Sequence, residues 1–144
     1  MPYTAKLKNN MDQLVKVIDS AGLPASIVWS FDEGKGKNEF LTIEVLPSAL
    51  IPDFSGAIIR TYPFQINYYM NLSGSAKQIL DTLSRRIDKL ERALNDNANR
   101  TVSSVYYWHN GEVLDVELDS DIEDFEEGLN VGRLTFEVTT LEVI

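Results

Sequence analysis

A chain of 144 residues with 44% apolar and 24% charged side chains holds one globular domain around one core, with no room for a second. It contains no cysteine, which excludes disulfides, thiolate metal sites and cysteine nucleophiles. The net charge of −9 is uneven: residues 1–72 carry six basic and seven acidic side chains, residues 73–144 carry seven and fifteen, and nine carboxylates without a basic residue fall within Glu112–Glu127.

In chain order, Leu7, Met11, Leu14, Val15 and Ile18 recur on one face of a predicted first helix, stopped by Gly22 and Pro24. Ala25–Phe31 reads as a strand, Asp32–Asn38 as a polar turn and Glu39–Leu46 as a second strand, with Leu41, Ile43 and Val45 alternating with Thr42 and Glu44. Together they predict a hairpin with a loose loop. Pro47–Gly56 reads as a connection in which Leu50, Ile51 and Phe54 either tuck under the loop or touch a partner. Ala57–Leu72 is the longest strand signal. Tyr62, Phe64, Ile66, Tyr68, Met70 and Leu72 share one face, and Pro63 marks an edge, a bulge or a strand start.

Ser73–Ser75 caps a second helix running from Ala76 to about Asn95, with Leu80, Leu83, Ile87, Leu90 and Leu94 as its stripe. Asn110-Gly111 is the strongest hairpin signal, joining strands Val102–His109 and Glu112–Leu118. A two-residue turn there pairs His109 with Glu112, Tyr107 with Leu114 and Val105 with Val116. Val105, Tyr107, Leu114, Val116 and Leu118 then form an apolar face, opposite Tyr106, Trp108, Asp115 and Glu117. An acidic loop, Asp119–Gly128, leads to a last strand, Arg133–Val143, with Leu134, Phe136 and Val138 inward. The expected fold is a single α+β domain over residues 1–144. It has an antiparallel or mixed sheet of about six strands with two helices on one face, in the order α-β-β-β-α-β-β-β.

No catalytic constellation stands out. His109, the single histidine, has Glu112 to orient it but no nucleophile nearby, and reads as an exposed turn residue. The alternating acids from Asp115 to Glu123 suggest calcium. An EF-hand loop beginning at Asp119 fails, however, at its sixth place, Asp124, and at its twelfth, Asn130. Gly34-Lys35-Gly36-Lys37 lacks the spacing of a phosphate loop. The expectation is a binding protein without metal, cofactor or catalytic residues. Tyr106 and Trp108 are either interface anchors, joined by Leu50 and Phe54, or core residues under the acidic loop. The acids Asp115, Glu117, Asp119, Asp121, Glu123 and Asp124 are the candidate lumen or partner-facing groups. Their field repels phosphate backbones, which suits a surface past which DNA slides without adhering.

The first ten residues lack the basic region and apolar run of a signal peptide, and no apolar run approaches the ~20 residues that span a bilayer. A cytoplasmic protein, or one built into a particle assembled there, is expected.

The element order and four segments, Leu7–Ile18, Tyr62–Leu72 (YPFQINYYMNL), Ala76–Leu94 and Arg133–Leu141 (RLTFEVTTL), resemble the tail terminator and tail completion proteins of long-tailed bacteriophages. The resemblance is one of pattern and covers most of the chain; the Pro47–Gly56 loop has no place in it. It implies a ring of identical subunits, commonly a hexamer, seated on the last ring of the tail tube and meeting the head-side neck proteins of the virion. DNA would pass through its lumen without specific binding. The alternative class is a small acidic chaperone of a secretion system, a dimer that holds a client protein.

Overall fold

The structure is a computed structural model, and it describes residues 6–47, 49–52, 57–71, 75–119 and 129–143. Its elements are α1 (Lys6–Ser20), β1 (Ser26–Ile27), α2 (Phe31–Gly34), β2 (Glu39–Val45), β3 (Ala49–Pro52), β4 (Ala57–Asn71), α3 (Ala76–Asp96), β5 (Arg100–Val102), β6 (Val105–Asp119) and β7 (Leu129–Val143). The fold is α+β, built on a mixed sheet. Six strands run in the order β1-β2-β4-β7-β6-β5, and β3 also pairs with β4, giving seven.

Strand β4 is the spine. Along its whole length it pairs antiparallel with β7, from Ala57 opposite Val143 to Asn71 opposite Leu129. Its other edge is shared: β2 takes Phe64–Met70 and β3 takes Ile58–Thr61. Pro63 sits in the seam between those two partners. Its carbonyl accepts from Leu46 N–H (3.0 Å), so its nitrogen faces the same side, where neither strand needs a donor. A proline that reads as an edge signal is thus placed in a central strand, at a break in its neighbour.

Tyr62, Phe64, Ile66, Tyr68 and Met70 are buried as their alternation requires, and so are Leu134, Phe136 and Val138 of β7. They share one core cluster with Leu14, Val17 and Ile18 of α1 and with Leu83, Ile87, Leu90 and Leu94 of α3. Helix α3 starts with a capping box in which Ser75 Oγ accepts from Gln78 N–H and Gln78 Oε1 accepts from Ser75 N–H. The buried face of α1 is rotated from the expected stripe. Asn10 and Gln13 are buried while Leu7 is exposed. Partners from other elements make this tolerable: Asn10 Nδ2 donates to Thr140 Oγ1 (3.0 Å), and Arg100 Nε donates to Gln13 Oε1 (3.2 Å).

Three expectations for the chain before β4 are corrected. The first two strands form no hairpin: β1 runs parallel to β2, with Ser26 opposite Phe40. The segment between them is a helical turn, capped by Ser30 Oγ accepting from Glu33 N–H (3.3 Å). Phe31 of that turn packs edge-on against Phe40 and Tyr69, on the sheet face opposite Tyr68. The order therefore becomes α-β-α-β-β-β-α-β-β-β, with three helices. The connection after β2 contains β3, so Leu50 lies on a strand.

The largest difference is at Asn110-Gly111, which makes no turn. The tight turn is Ser103-Ser104, where both residues have positive φ (52° and 67°), the geometry of a type I′ hairpin, and it joins β5 to β6. Asn110-Gly111 lies inside β6 at a bulge between His109 and Glu112. The dipeptide suits that place for the reasons that suit it to turns. Asn110 takes φ 50°, and a Cβ on Gly111 would stand 2.7 Å from the Phe136 ring and 3.1 Å from the Ala98 backbone.

A polar clasp ties α3 to β2. Glu39 Oε1 accepts from the Tyr68 hydroxyl and from Arg86 Nε (2.8 Å). Burial, and after it the Glu39 carboxylate, pushes the Tyr68 pKa well above its ordinary 10.0. Burial also raises Tyr69 and Tyr106. Unfolded tyrosines ionise near pH 10, whereas these three keep their protons to higher pH. Their contribution is therefore intact below about pH 10 and is lost as pH rises toward the folded-state values. Urea midpoints measured from pH 8 to 11 are expected to fall above about pH 10. Tyr68→Phe should flatten that fall, and an unchanged slope would show that Tyr68 is not its source.

Candidate functional site

The surface that stands out is β6 on its open side. Of the ten large apolar residues exposed among the described residues, five are on β6: Val105, Tyr106, Leu114, Val116 and Leu118. Leu114 and Val116 are 48% and 43% exposed, and exposed Leu141 lies on the neighbouring β7. Strand β5 covers only the start of β6, pairing with Val105, Tyr106 and Trp108. From Glu112 to Asp119 β6 is paired with β7 on one side, and no described strand lies on the other.

Two bulges decide which way each side chain faces. One lies between His109 and Glu112, the second between Val113 and Asp115. Each adds a residue and reverses the alternation, so Trp108 and Val113 face the helices, as do Val116, opposite Leu134, and Leu118, opposite Gly132. The expected face of Val105, Tyr107, Leu114, Val116 and Leu118 is therefore split: Val116 and Leu118 point to the helix side but are half covered, and Val105 and Leu114 are exposed.

Trp108 is corrected from candidate subunit anchor to core residue. It is 1% exposed, meets Phe136 edge-on with centroids 6.4 Å apart, and donates from Nε1 to the Asn97 carbonyl (2.9 Å). Tyr106 does reach the surface. Its hydroxyl pairs with His109 Nδ1 and accepts from Leu141 N–H (3.1 Å). His109 is thus a mid-strand residue held by a tyrosine, with the hydroxyl donating when the imidazole is neutral and protonated on Nε2.

Of the candidate acids, Asp115 lies opposite Thr135 and Glu117 opposite Arg133, both on the face away from the helices and both exposed. Glu112 on the same face lies opposite Glu137, a like-charge pair. Asp119 ends β6, its side chain undescribed, as is that of Leu50 in β3; Asp121, Glu123, Asp124 and Phe54 lie outside the described residues. The structure brings Asp115 and Glu117 together with Val116 and Leu118 on alternate sides of one strand. It does not bring Trp108 to that surface.

The acidic face continues inward through residues that sequence reasoning did not select. Asn67 lies beside Arg133 in register, is 1% exposed, and donates from Nδ2 to Thr42 Oγ1 and Glu44 Oε1 (both 3.2 Å). Its Oδ1 has no partner among the described residues. Alternation of Tyr68 and Tyr69 signals a second face, but nothing local signals that an asparagine on it is buried. Among the described residues no group of three His, Asp or Glu side chains could hold a metal ion. Lys35 of the glycine-lysine segment pairs with Asp32 (3.3 Å), one helical turn away.

No protein-family model matches the chain, and no curated protein matches it. Among the described residues no helix is long and apolar enough to cross a membrane.

Proposed function

We propose that this chain is a structural assembly protein rather than an enzyme, acting in the neck of a long-tailed bacteriophage as a ring that caps the tail tube and meets the head-side proteins. The observation that carries the assembly role is the half-exposed apolar and acidic strip of β6, which alternates Val116 and Leu118 with Asp115 and Glu117 where the strand has β7 on one side and no described strand on the other. Such a strip costs solubility unless another molecule covers it. The ring and its place in the virion rest on the segment pattern of the sequence. In a ring the contacts between copies are heterologous and close on themselves. The carboxylates of Glu112–Glu127 that such a contact leaves uncovered, if they face the lumen, would let DNA pass by repelling its phosphates.

Sedimentation velocity across a concentration series tests the ring, because it resolves the 16.3 kDa chain from its oligomers. The expected species are the monomer and a closed ring of about six copies. A chain that stays single at every concentration overturns the ring, and a dimer favours the chaperone class.

A further inference from the structure

We infer that the open edge of β6 between Asp115 and Asp119 takes up an extended segment of a different protein as an added strand, and that this segment alternates apolar with lysine or arginine residues. The inference goes beyond the ring and holds whether or not the ring forms.

The window Asp115–Asp119 pairs with β7 without irregularity, Asp115 opposite Thr135 through Asp119 opposite Val131. It is therefore regular enough to template another strand, and alternate residues turn a backbone N–H and C=O outward. Edge strands that are meant to stay unpaired are usually blunted by an inward charge, a proline or a bulge. Here the bulges lie before Asp115, and the side chains nearer the helices are valine and leucine.

The occupant is chosen by charge. A second β6 laid against this one would set Asp115 and Glu117 against the same carboxylates, and like charges directly across a ladder are destabilising. The other sheet edges of a second copy fit poorly too. β1, β3 and β5 are two, four and three residues long, and the one basic residue among them, Arg100, is engaged with Gln13 and Asn97. A strand with basic residues on one face and aliphatic residues on the other satisfies all three demands at once: the backbone edge, the carboxylates, and half-covered Val116 and Leu118.

The test uses the full chain and three synthetic peptides of about seven residues: one alternating valine and lysine, one of the same composition with the alternation scrambled, and one with glutamate for lysine. Amide hydrogen exchange is read residue by residue. The alternating lysine peptide is expected to slow exchange by roughly tenfold or more at alternate amides of Asp115–Asp119. The other two peptides should leave those amides unchanged. Asp115→Lys combined with Glu117→Lys should transfer the effect to the glutamate peptide, with an unchanged melting temperature showing that the variant is folded. Equal effects of scrambled and alternating peptides, protection confined to other strands, or no protection would each overturn the inference. So would protection of these amides in the peptide-free protein that grows with concentration, because the occupant would then be a second copy. The ring is judged separately by mass, so either reading can fail alone.

Discussion

Trp108→Ala is expected to lower unfolding free energy by about 3–5 kcal/mol, near the top of the range for a single core truncation. The indole is 1% exposed, fills the space between the end of α3 and Phe136, and supplies the hydrogen bond that satisfies the Asn97 carbonyl at the C-terminal cap of that helix. Truncation therefore leaves a cavity and a partly buried acceptor without its donor. Trp108→Phe should separate the two effects. It keeps most of the ring volume and loses the N–H, at a cost of about 1 kcal/mol, the net worth of one hydrogen bond to a partly exposed carbonyl. Urea unfolding followed by circular dichroism gives both values. The measurement also distinguishes the two roles that the sequence leaves open. A subunit anchor would lose association on truncation and keep the stability of the single chain; a core residue does the reverse.

The reason Trp108 reads ambiguously from sequence is instructive. Placing Asn110-Gly111 in a hairpin turn assigns every residue of Val105–Leu118 to a face, and the assignment is self-consistent. The alternative, a turn at Ser103-Ser104 followed by a strand with two bulges, has no local signature, because serine is not a favoured type I′ residue. What decides is tertiary: the Gly111 N–H donates to the Ala98 carbonyl (2.7 Å), and its backbone lies against Phe136. Where one period runs without interruption, local pattern is sufficient. The buried faces of β4 and β7 and most of the α3 stripe follow directly from alternation and from the three-four repeat. The α1 face does not, because the burial of Asn10 and Gln13 depends on Thr140 and Arg100, far away in sequence. The acids of the candidate surface, Asp115 and Glu117, are legible as a pair on one side of a strand. Its openness is not, since that depends on how far β5 extends.

Leu83→Asp and Leu80→Asp are expected to differ by more than any other pair of changes one turn apart. Both leucines belong to the apolar stripe of α3, and the sequence alone gives no ground to separate them. Leu83 is fully buried beside the sheet, whereas Leu80 is 46% exposed near the start of the helix. An aspartate at 83 must lose its hydration among the apolar side chains of the core cluster. It either ionises there at a cost of several kcal/mol or stays protonated at low pH only, so the folded state should be lost at neutral pH. An aspartate at 80 remains hydrated and, as the fifth residue of α3, lies just past the first turn, where the helix dipole adds little. It should cost about 1 kcal/mol or less, the value usual for surface changes. Thermal melts at pH 7 and pH 4 check both. Leu83→Asp should show no cooperative melt at pH 7 and regain part of one at pH 4, where protonation removes the charge. A cooperative melt at pH 7 would mean that α3 does not lie with Leu83 against the sheet, and the burial of Ile87 and Leu90 on the same stripe would fall with it.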